Sequence, residues 1–175
     1  MPAPVVVREI HPDEHRALGQ LMVHVYGNLP GFPTPTQQPR YYDMLANIGD
    51  FTCIPQAKVL VAADAGGQVV GGVVYFADIT QYGAAMTMSM VDTSAIRLLA
   101  VHPSVRGQGV GRQLMEACLQ LARDHGHARV VLHTTEAMRV AWNMYERMGF
   151  QRAHELDFAQ GDLQVYGLHL VLRDD

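Results

Sequence analysis

Long apolar runs and cysteine are both scarce in this sequence. The longest apolar stretch, residues 69–77, contains two glycines and is far shorter than the ~20 residues that span a bilayer as a helix. The first residues, Met1-Pro-Ala-Pro, lack the basic start and the apolar segment of a secretory signal, so we expect a cytoplasmic protein with no membrane partner. Cys53 and Cys118 lie far apart and outside any CxxC context, which predicts reduced thiols rather than a disulfide framework or a zinc site.

Positive charge is scarce as well. The 175 residues carry 13 Lys and Arg against 17 Asp and Glu, a formal net charge of −4, and Lys58 is the single lysine. No basic run is present, so we expect no nucleic acid partner. Because 49% of the residues are hydrophobic and the length lies within the ~100–200 residues typical of one domain, we expect a single domain over residues 1–175.

Strand-like and helix-like patterns alternate along the chain. Strands are predicted at 5–10, 58–63, 69–77, 94–101, 130–134, 150–156 and 163–172, and helices at 11–26, 40–48, 109–125 and 136–148. Residues 64–68 look like a hairpin turn, whereas 78–93 has no clear period. This order predicts an α/β (α+β) fold with a mixed central sheet and helices on both faces.

A glycine-rich loop stands between the strand at 94–101 and the helix at 109–125. Gly107, Gly109 and Gly111 have no Cβ atoms, so several backbone N–H groups can turn toward one point at the start of the helix, a geometry that binds phosphate. Arg106 and Arg112 can add charge-assisted hydrogen bonds. The spacing is GxGxG, not the GxGxxG of a dinucleotide fold, and no Gly-Lys-Ser/Thr follows as in a nucleoside triphosphate loop. Taken alone, the three glycines fit a flexible turn equally well.

Two motifs in this region resemble those of the GCN5-related N-acetyltransferase (GNAT) family. Leu99-x-Val101-x-Pro103-x-x-Arg106-Gly107-x-Gly109-x-Gly111 resembles the acetyl-CoA signature, and Tyr145-Glu-Arg-Met-Gly-Phe150 resembles the second signature. The resemblance is specific over residues 94–156. It implies a GNAT-like, mostly antiparallel sheet of about six to seven strands and acetyl-CoA as co-substrate. The residues that it assigns to coenzyme A are Leu99, Ala100, Val101, Arg106, Gly107, Gln108, Gly109, Val110, Gly111 and Arg112.

The resemblance also implies roles along the acyl donor. The pyrophosphate would lie on the backbone of residues 106–112, and the main chain near Leu99 and Val101 would bind the pantetheine arm. A backbone N–H near Leu99 could stabilise the oxyanion that forms when an amine attacks the thioester. Tyr145 matches the general acid that protonates the departing thiolate. Its position also fits an ordinary half-buried tyrosine in register with Met138 and Trp142.

Two positions depart from the family pattern. Ala95 stands where many relatives have a glutamate that helps to deprotonate the amine, and Met138 stands where many have an asparagine that contacts the pantetheine arm. The general base is therefore unassigned. Glu136, His133 and Asp92 are substitutes by proximity in sequence, and each also fits a capping, surface or strand position.

The acceptor is expected to bind the variable parts of the chain. These are the loop 27–39 with its four prolines, the neighbouring Tyr41, Tyr42 and Asp43, and the segment 78–93. Met86, Met88 and Met90 in that segment fit either a pliable acceptor pocket or core packing. A small amine, an amino acid, an antibiotic, and a protein terminus or lysine all remain open.

The sequence thus predicts an acyl-CoA-dependent N-acyltransferase, transferring acetyl to a primary amine by direct attack in a ternary complex. A non-catalytic acyl-CoA-binding module is the alternative, since the glutamate and the asparagine are missing. A homodimer is expected only by analogy with relatives.

The string His11-Pro-Asp-Glu-His15 matches the HxxEH of inverted zinc proteases. Pro12 places His11 at or before the helix start, so the two histidines would not share one helix face, and no third ligand is evident. We therefore expect no metal.

Overall fold

A computed structural model describes residues 4–82 and 91–172. Its strands are β1 (Val6–Glu9), β2 (Ala57–Ala63), β3 (Val69–Phe76), β4 (Thr93–Val101), β5 (Arg129–Thr134), β6 (Gln151–Arg152), β7 (Phe158–Gln160) and β8 (Leu163–Val171). Its α-helices are α1 (His15–Gly27), α2 (Pro39–Ala46), α3 (Val110–Asp124) and α4 (Arg139–Arg147). Short 3₁₀ turns at Pro12–Glu14 and Glu136–Met138 form the first parts of two predicted helices, so α1 and α4 begin later than expected. No helix in the described ranges is long and apolar enough to cross a bilayer.

The eight strands of the described residues are joined in the order β1-β2-β3-β4-β5-β8-β6, with β7 added alongside β8. β4 and β5 run parallel, whereas all other paired strands are antiparallel. The predicted mixed, mostly antiparallel sheet is therefore confirmed, with eight strands in place of about six to seven.

Helices cover both faces of the sheet, as predicted. Because successive side chains of a strand point to opposite faces, Val59 and Val61 of β2 pack with α1 and α2. Leu60 and Ala62 of the same strand pack on the other face with α3 and α4. Burial on both faces explains why β2 and β3 are apolar almost throughout.

The strand predicted at 150–156 is wrong beyond its first residues. Only Gln151–Arg152 pairs with β8, and the chain then forms a 3₁₀ turn at His154–Leu156. The physical reason is a close crossing over Gly167 of β8, where a Cβ atom would lie 2.4 Å from the Cβ atom of Leu156. The backbone leaves the sheet to make this crossing.

The short strand β7 was not predicted. It pairs with β8 as a hairpin in which Gln160 lies opposite Leu163, with Gly161 and Asp162 between them. A Gly-Asp dipeptide between strand-like residues is a hairpin signal, so the sequence carried the information for this turn.

The pairing of β4 with β5 stops before either strand ends. Residues Thr93–Ile96 lie opposite Arg129–Leu132, but β4 continues to Val101 and β5 to Thr134. Just beyond the last pair, Leu98 has a φ of 63°, and the register with β3 shifts there, which marks a β-bulge. A bulge re-aims the backbone, and the two strands leave an opening between them.

Candidate active site

A cavity of about 400 Å³ lies in the opening between β4 and β5. This volume is within the ~300–1,000 Å³ of small-molecule pockets. Strand β4 contributes residues 96–99 and β5 contributes 132–134, and the other walls come from α1, the loop before α2, α4 and the segment around β7. Its lining residues include Tyr26, Phe32, Tyr41, Tyr82, Arg97, His133, Met138, Tyr145, Leu156 and Phe158.

The glycine loop opens directly into α3. Gly109 caps the helix with a φ of 81°, and Gly107 has a φ of 78°, a left-handed conformation that strains residues with a Cβ atom. A Cβ atom at either position would meet nothing within 4 Å, so the space outside the loop is open. The N–H groups of the first helical turn have no intrahelical partner, and together with the helix dipole they favour an anion.

Contacts at Gly111 show where this loop sits relative to α4. A Cβ atom at Gly111 would lie 3.5 Å from Cγ2 of Val101 and 3.6 Å from the sulfur of Met144. Met144 directly precedes Tyr145, which lines the cavity. The loop therefore lies beside the end of β4 and beside the helix that carries Tyr145.

Other side-chain and backbone contacts hold the end of β4 in place. The Tyr26 hydroxyl donates a hydrogen bond to the Leu99 carbonyl at 2.8 Å, and Nε of Arg106 donates to the Val101 carbonyl at 3.4 Å. Arg112 is exposed and pairs with Glu116 at 2.9 Å. Ala100 and Val110 are buried in the core, and Gln108 is half-buried in the loop.

Tyr145 is buried, with 7% of its surface exposed, and it packs against Phe150 at 5.9 Å between ring centroids. Burial, reinforced by the nearby Cys118 thiol, raises the pKa of Tyr145 above its usual value, so the hydroxyl keeps its proton at neutral pH. Both a proton donor and a core tyrosine fit this position.

The family model for the acetyltransferase (GNAT) family matches residues 21–150. The chain belongs to this family. The match spans most of the chain and includes the glycine loop, the opening between β4 and β5, and Tyr145.

Curated N-acetyltransferases match this chain over shorter stretches. The chain is 44% identical over 54 residues to "Probable N-acetyltransferase family 8 member 5" of Mus musculus, covering 31% of this chain and 24% of that protein. It is 31% identical over 78 residues to "Uncharacterized N-acetyltransferase YjgM" of Escherichia coli (strain K12), covering 45% of each. The chain thus spans less than half the length of these relatives.

Solved GNAT structures share the fold over nearly the whole chain. An acetyltransferase of the GNAT family from Staphylococcus aureus superposes with a TM-score of 0.75 at 15% identity, covering 97% of this chain and all of that one. A putative acetyltransferase from Salmonella typhimurium, yncA, solved with its cofactor acetyl-CoA, gives a TM-score of 0.67 at 16% identity, covering 98% and 95%. The TM-scores show a common fold, and at identities this low they show the fold alone.

The two departures from the GNAT pattern differ in position. Ala95 is completely buried and packs in the core on the α1 and α2 face. Met138 precedes α4 and lines the cavity. Thus Ala95, at the glutamate position, is a core residue, and Met138, at the asparagine position, is an apolar residue of the cavity wall.

Two of the three substitute bases lie outside the cavity. Glu136 is exposed and forms an ion pair with Arg139. Asp92 is exposed just before β4, and its carbonyl accepts the N–H of Ala128 at 2.8 Å. Neither residue lines the cavity, so we discard both as bases.

His133 is the substitute that does line the cavity. Its Nε2 lies 2.8 Å from the Leu156 carbonyl, and its Nδ1 lies 2.7 Å from the Tyr82 hydroxyl. Because a carbonyl only accepts hydrogen bonds, Nε2 carries the proton and Nδ1 accepts from Tyr82. Burial lowers the pKa of His133 below its usual value of 6.5, and this keeps the ring neutral.

The loop 27–39 and the start of α2 reach the cavity through two aromatic rings. Phe32 and Tyr41 line it and pack together at 5.7 Å between centroids. The Tyr42 hydroxyl instead donates to the Pro33 carbonyl at 2.6 Å, which anchors the loop. Asp43 is exposed and does not line the cavity.

The segment 78–93 reaches the cavity at Tyr82. Met86, Met88 and Met90 lie outside the described residues. Our sequence reasoning missed Tyr26 and Arg97. A signal for Arg97 was present, because it is the single charged residue in the otherwise apolar run 95–101.

The HxxEH string does not form a zinc-protease site. In the described ranges, the ligand atoms close enough to share a metal belong to His11, Asp13 and Glu14, without His15. Arg8 holds Glu14 through two hydrogen bonds of 2.8 and 2.9 Å and lowers the pKa of that carboxyl to about 2. The carboxylate is thus already neutralised by a guanidinium.

Proposed function

We propose that this chain transfers an acyl group, acetyl in the default of its family, from acyl-CoA to an amine by direct attack in a ternary complex. One observation carries the proposal. The open glycine loop approaches α4 at Met144, the residue before Tyr145. The candidate anion site and the protonated Tyr145 hydroxyl would therefore flank the same opening between β4 and β5. That yncA was solved with acetyl-CoA supports the same donor here.

The acyl donor would be held mainly by backbone. The first-turn N–H groups of α3 and the backbone of residues 106–112 would bind the diphosphate, since the open space at Gly107 and Gly109 admits it. The main chain of Leu99, Ala100 and Val101 would bind the pantetheine arm in the opening where β4 has no partner strand on the β5 side.

In the transfer step the amine nitrogen attacks the thioester carbonyl, a C–N bond forms and the C–S bond breaks. The leaving thiolate takes the proton of the Tyr145 hydroxyl, and the phenolate so formed regains a proton from solvent as the products leave. The same burial that raises the pKa of Tyr145 also increases the proton affinity of a thiolate in the cavity, so the transfer is not strongly uphill.

The proton lost by the amine needs an acceptor, and we propose His133 acting through Tyr82. The Tyr82 hydroxyl would take the amine proton while it passes its own proton to Nδ1 of His133, 2.7 Å away. The imidazolium so formed keeps its Nε2–H bond to the Leu156 carbonyl, and it releases its proton to solvent after the transfer.

Thiol release from acetyl-CoA in the presence of a panel of amines tests the proposal, with acetyl-CoA binding measured separately by calorimetry. We expect binding without amine and thiol release with at least one amine. Binding without turnover across a broad panel would favour a non-catalytic acyl-CoA-binding module. No binding of any CoA species would remove the glycine loop from the assignment.

A further inference from the structure

Arg97 places a positive charge at the wall of the cavity. It lies on β4 one residue beyond the last pair with β5 and one residue before the bulge at Leu98. Arg97 is half-buried and is one of the residues that line the cavity. In strand alternation it shares a face with Ala95, which packs toward α1 and α2.

The charge of Arg97 affects the pKa values of three tyrosines. Burial raises the pKa of Tyr41 to about 12, and the charge of Arg97 opposes that rise. Arg97 has the same opposing effect on the buried hydroxyls of Tyr26 and Tyr82. Arg97 and these three tyrosines all line the cavity.

No carboxylate neutralises Arg97 within residues 4–82 and 91–172. The two acidic residues that line the cavity have other partners: Glu155 pairs with Arg129, and Asp157 pairs with Arg152. The segment 83–90 contains no acidic residue in its sequence. Among the described residues Arg97 thus has no counter-ion, a half-buried guanidinium in this state is costly, and an anionic ligand relieves that cost.

A carboxylate is the anion that suits this place. Guanidinium binds a carboxylate in a planar, two-bond geometry, and the diphosphate of the donor has its own site at the start of α3. The cavity of about 400 Å³ must also hold the acyl end of the donor, which leaves room for a small acceptor. Phe32, Met138 and Phe158 give this room apolar walls.

We infer that the acceptor is a free amino acid with an apolar side chain, whose carboxylate is bound by Arg97 and whose amine attacks the thioester. This inference rests on the proposed acyl transfer and names its substrate class.

The test compares amino acids with their amides, which keep the amine and the side chain but lose the negative charge. Thiol release from acetyl-CoA is measured with L-phenylalanine, L-methionine, L-phenylalaninamide and L-methioninamide, together with uncharged-tail amines such as phenethylamine. We expect the wild-type kcat/KM to favour the acids, and Arg97→Gln to lower kcat/KM for the acids ~10–100-fold, the value of a lost charge-assisted hydrogen bond. The amides should change little.

Three controls separate recognition from folding. Arg97→Lys keeps the charge and should retain part of the preference. Arg123→Gln removes an exposed arginine of α3 outside the cavity and should leave kcat/KM unchanged. Acetyl-CoA affinity by calorimetry should be equal in all variants. As a readout that needs no turnover, N-acetyl-L-phenylalanine should raise the melting temperature of the wild type more than that of Arg97→Gln.

The outcomes distinguish this inference from the proposed function. Thiol release with amides and simple amines at least equal to that with the acids would overturn the amino acid assignment and leave the acyltransferase standing. An acid preference that persists in Arg97→Gln would remove Arg97 from recognition. No thiol release with any of these amines would count against the proposed transfer itself.

Discussion

Replacing Tyr145 by phenylalanine tests the proposed proton donor most directly. General acid catalysis contributes ~10²–10⁴-fold, so at ~1.36 kcal/mol per tenfold the lost hydroxyl should raise the barrier by ~2.7–5.4 kcal/mol. Phenylalanine keeps the shape of the side chain and removes only the oxygen atom, so the substitution adds no bulk to the core. The ring keeps its packing on Phe150, and the melting temperature should change little.

The assay is thiol release from acetyl-CoA with the best amine of the panel, together with calorimetric acetyl-CoA affinity. Tyr166→Phe is the matched control. Tyr166 of β8 packs against Trp142 of α4, the helix that carries Tyr145, at 5.2 Å between ring centroids, and it does not line the cavity. We expect kcat to fall in Tyr145→Phe alone, with acetyl-CoA affinity nearly equal in all three proteins. Wild-type turnover in Tyr145→Phe would refute the role, and a parallel loss of affinity would indicate packing instead.

Three further predictions concern the loop, the base and a remote ion pair. Gly109→Ala puts a Cβ atom into the open space at the helix start and should weaken acetyl-CoA binding ~10–100-fold by calorimetry. The control Gly126→Ala, at the other end of α3 with a φ of 73°, should lose as much stability as Gly109→Ala but keep the wild-type affinity for acetyl-CoA. Equal affinities of the two variants would contradict the loop assignment. Burial lowers the pKa of His133. Wild-type kcat/KM, expressed per concentration of neutral amine, should therefore stay level below pH 6.5 and fall only as the pH drops through that lowered pKa. His133→Gln should be slower and should lack this acidic limb, and an unchanged pH profile would exclude the relay. Because the Arg8 guanidinium lowers the pKa of Glu14 to about 2 from 4.5, their pairing stabilises the fold fully above pH 4.5 and loses this effect as the pH falls toward 2. Glu14→Gln should therefore cost ~1–3 kcal/mol of unfolding free energy at pH 7 in urea titrations and almost nothing near pH 2, and a cost independent of pH would show that charge is not involved.

Elements with local signals were predictable from the sequence. The helix predicted at 109–125 is observed as Val110–Asp124, because its apolar spacing and its flanking glycines are encoded within a few residues. The strands of the β2–β3 hairpin are likewise close to their predicted bounds. The strand at 150–156 failed because the close crossing over Gly167 joins residues that are remote in sequence.

The cavity could be predicted only in part, for the same reason. The glycine loop and Tyr145 belong to recognisable local motifs, and their positions beside one opening agree with the predicted order of elements. Tyr26 and Arg97 reach the cavity from different elements. Their meeting depends on where the pairing of β4 and β5 stops, and that point is set by a bulge rather than by any motif.

The short contact between β4 and β5 has a mechanical consequence. Within the described chain, four residue pairs of parallel type are the strand pairing that joins β1–β4 to the β5–β8 half, and parallel pairing is slightly weaker per residue than antiparallel pairing. If the acyl donor binds between β4 and β5 as proposed, it would stabilise the contact between the two halves, by an amount that grows with its concentration relative to its dissociation constant. The concentration of acyl-CoA would then set the stability of the contact between β1–β4 and β5–β8, independently of catalysis.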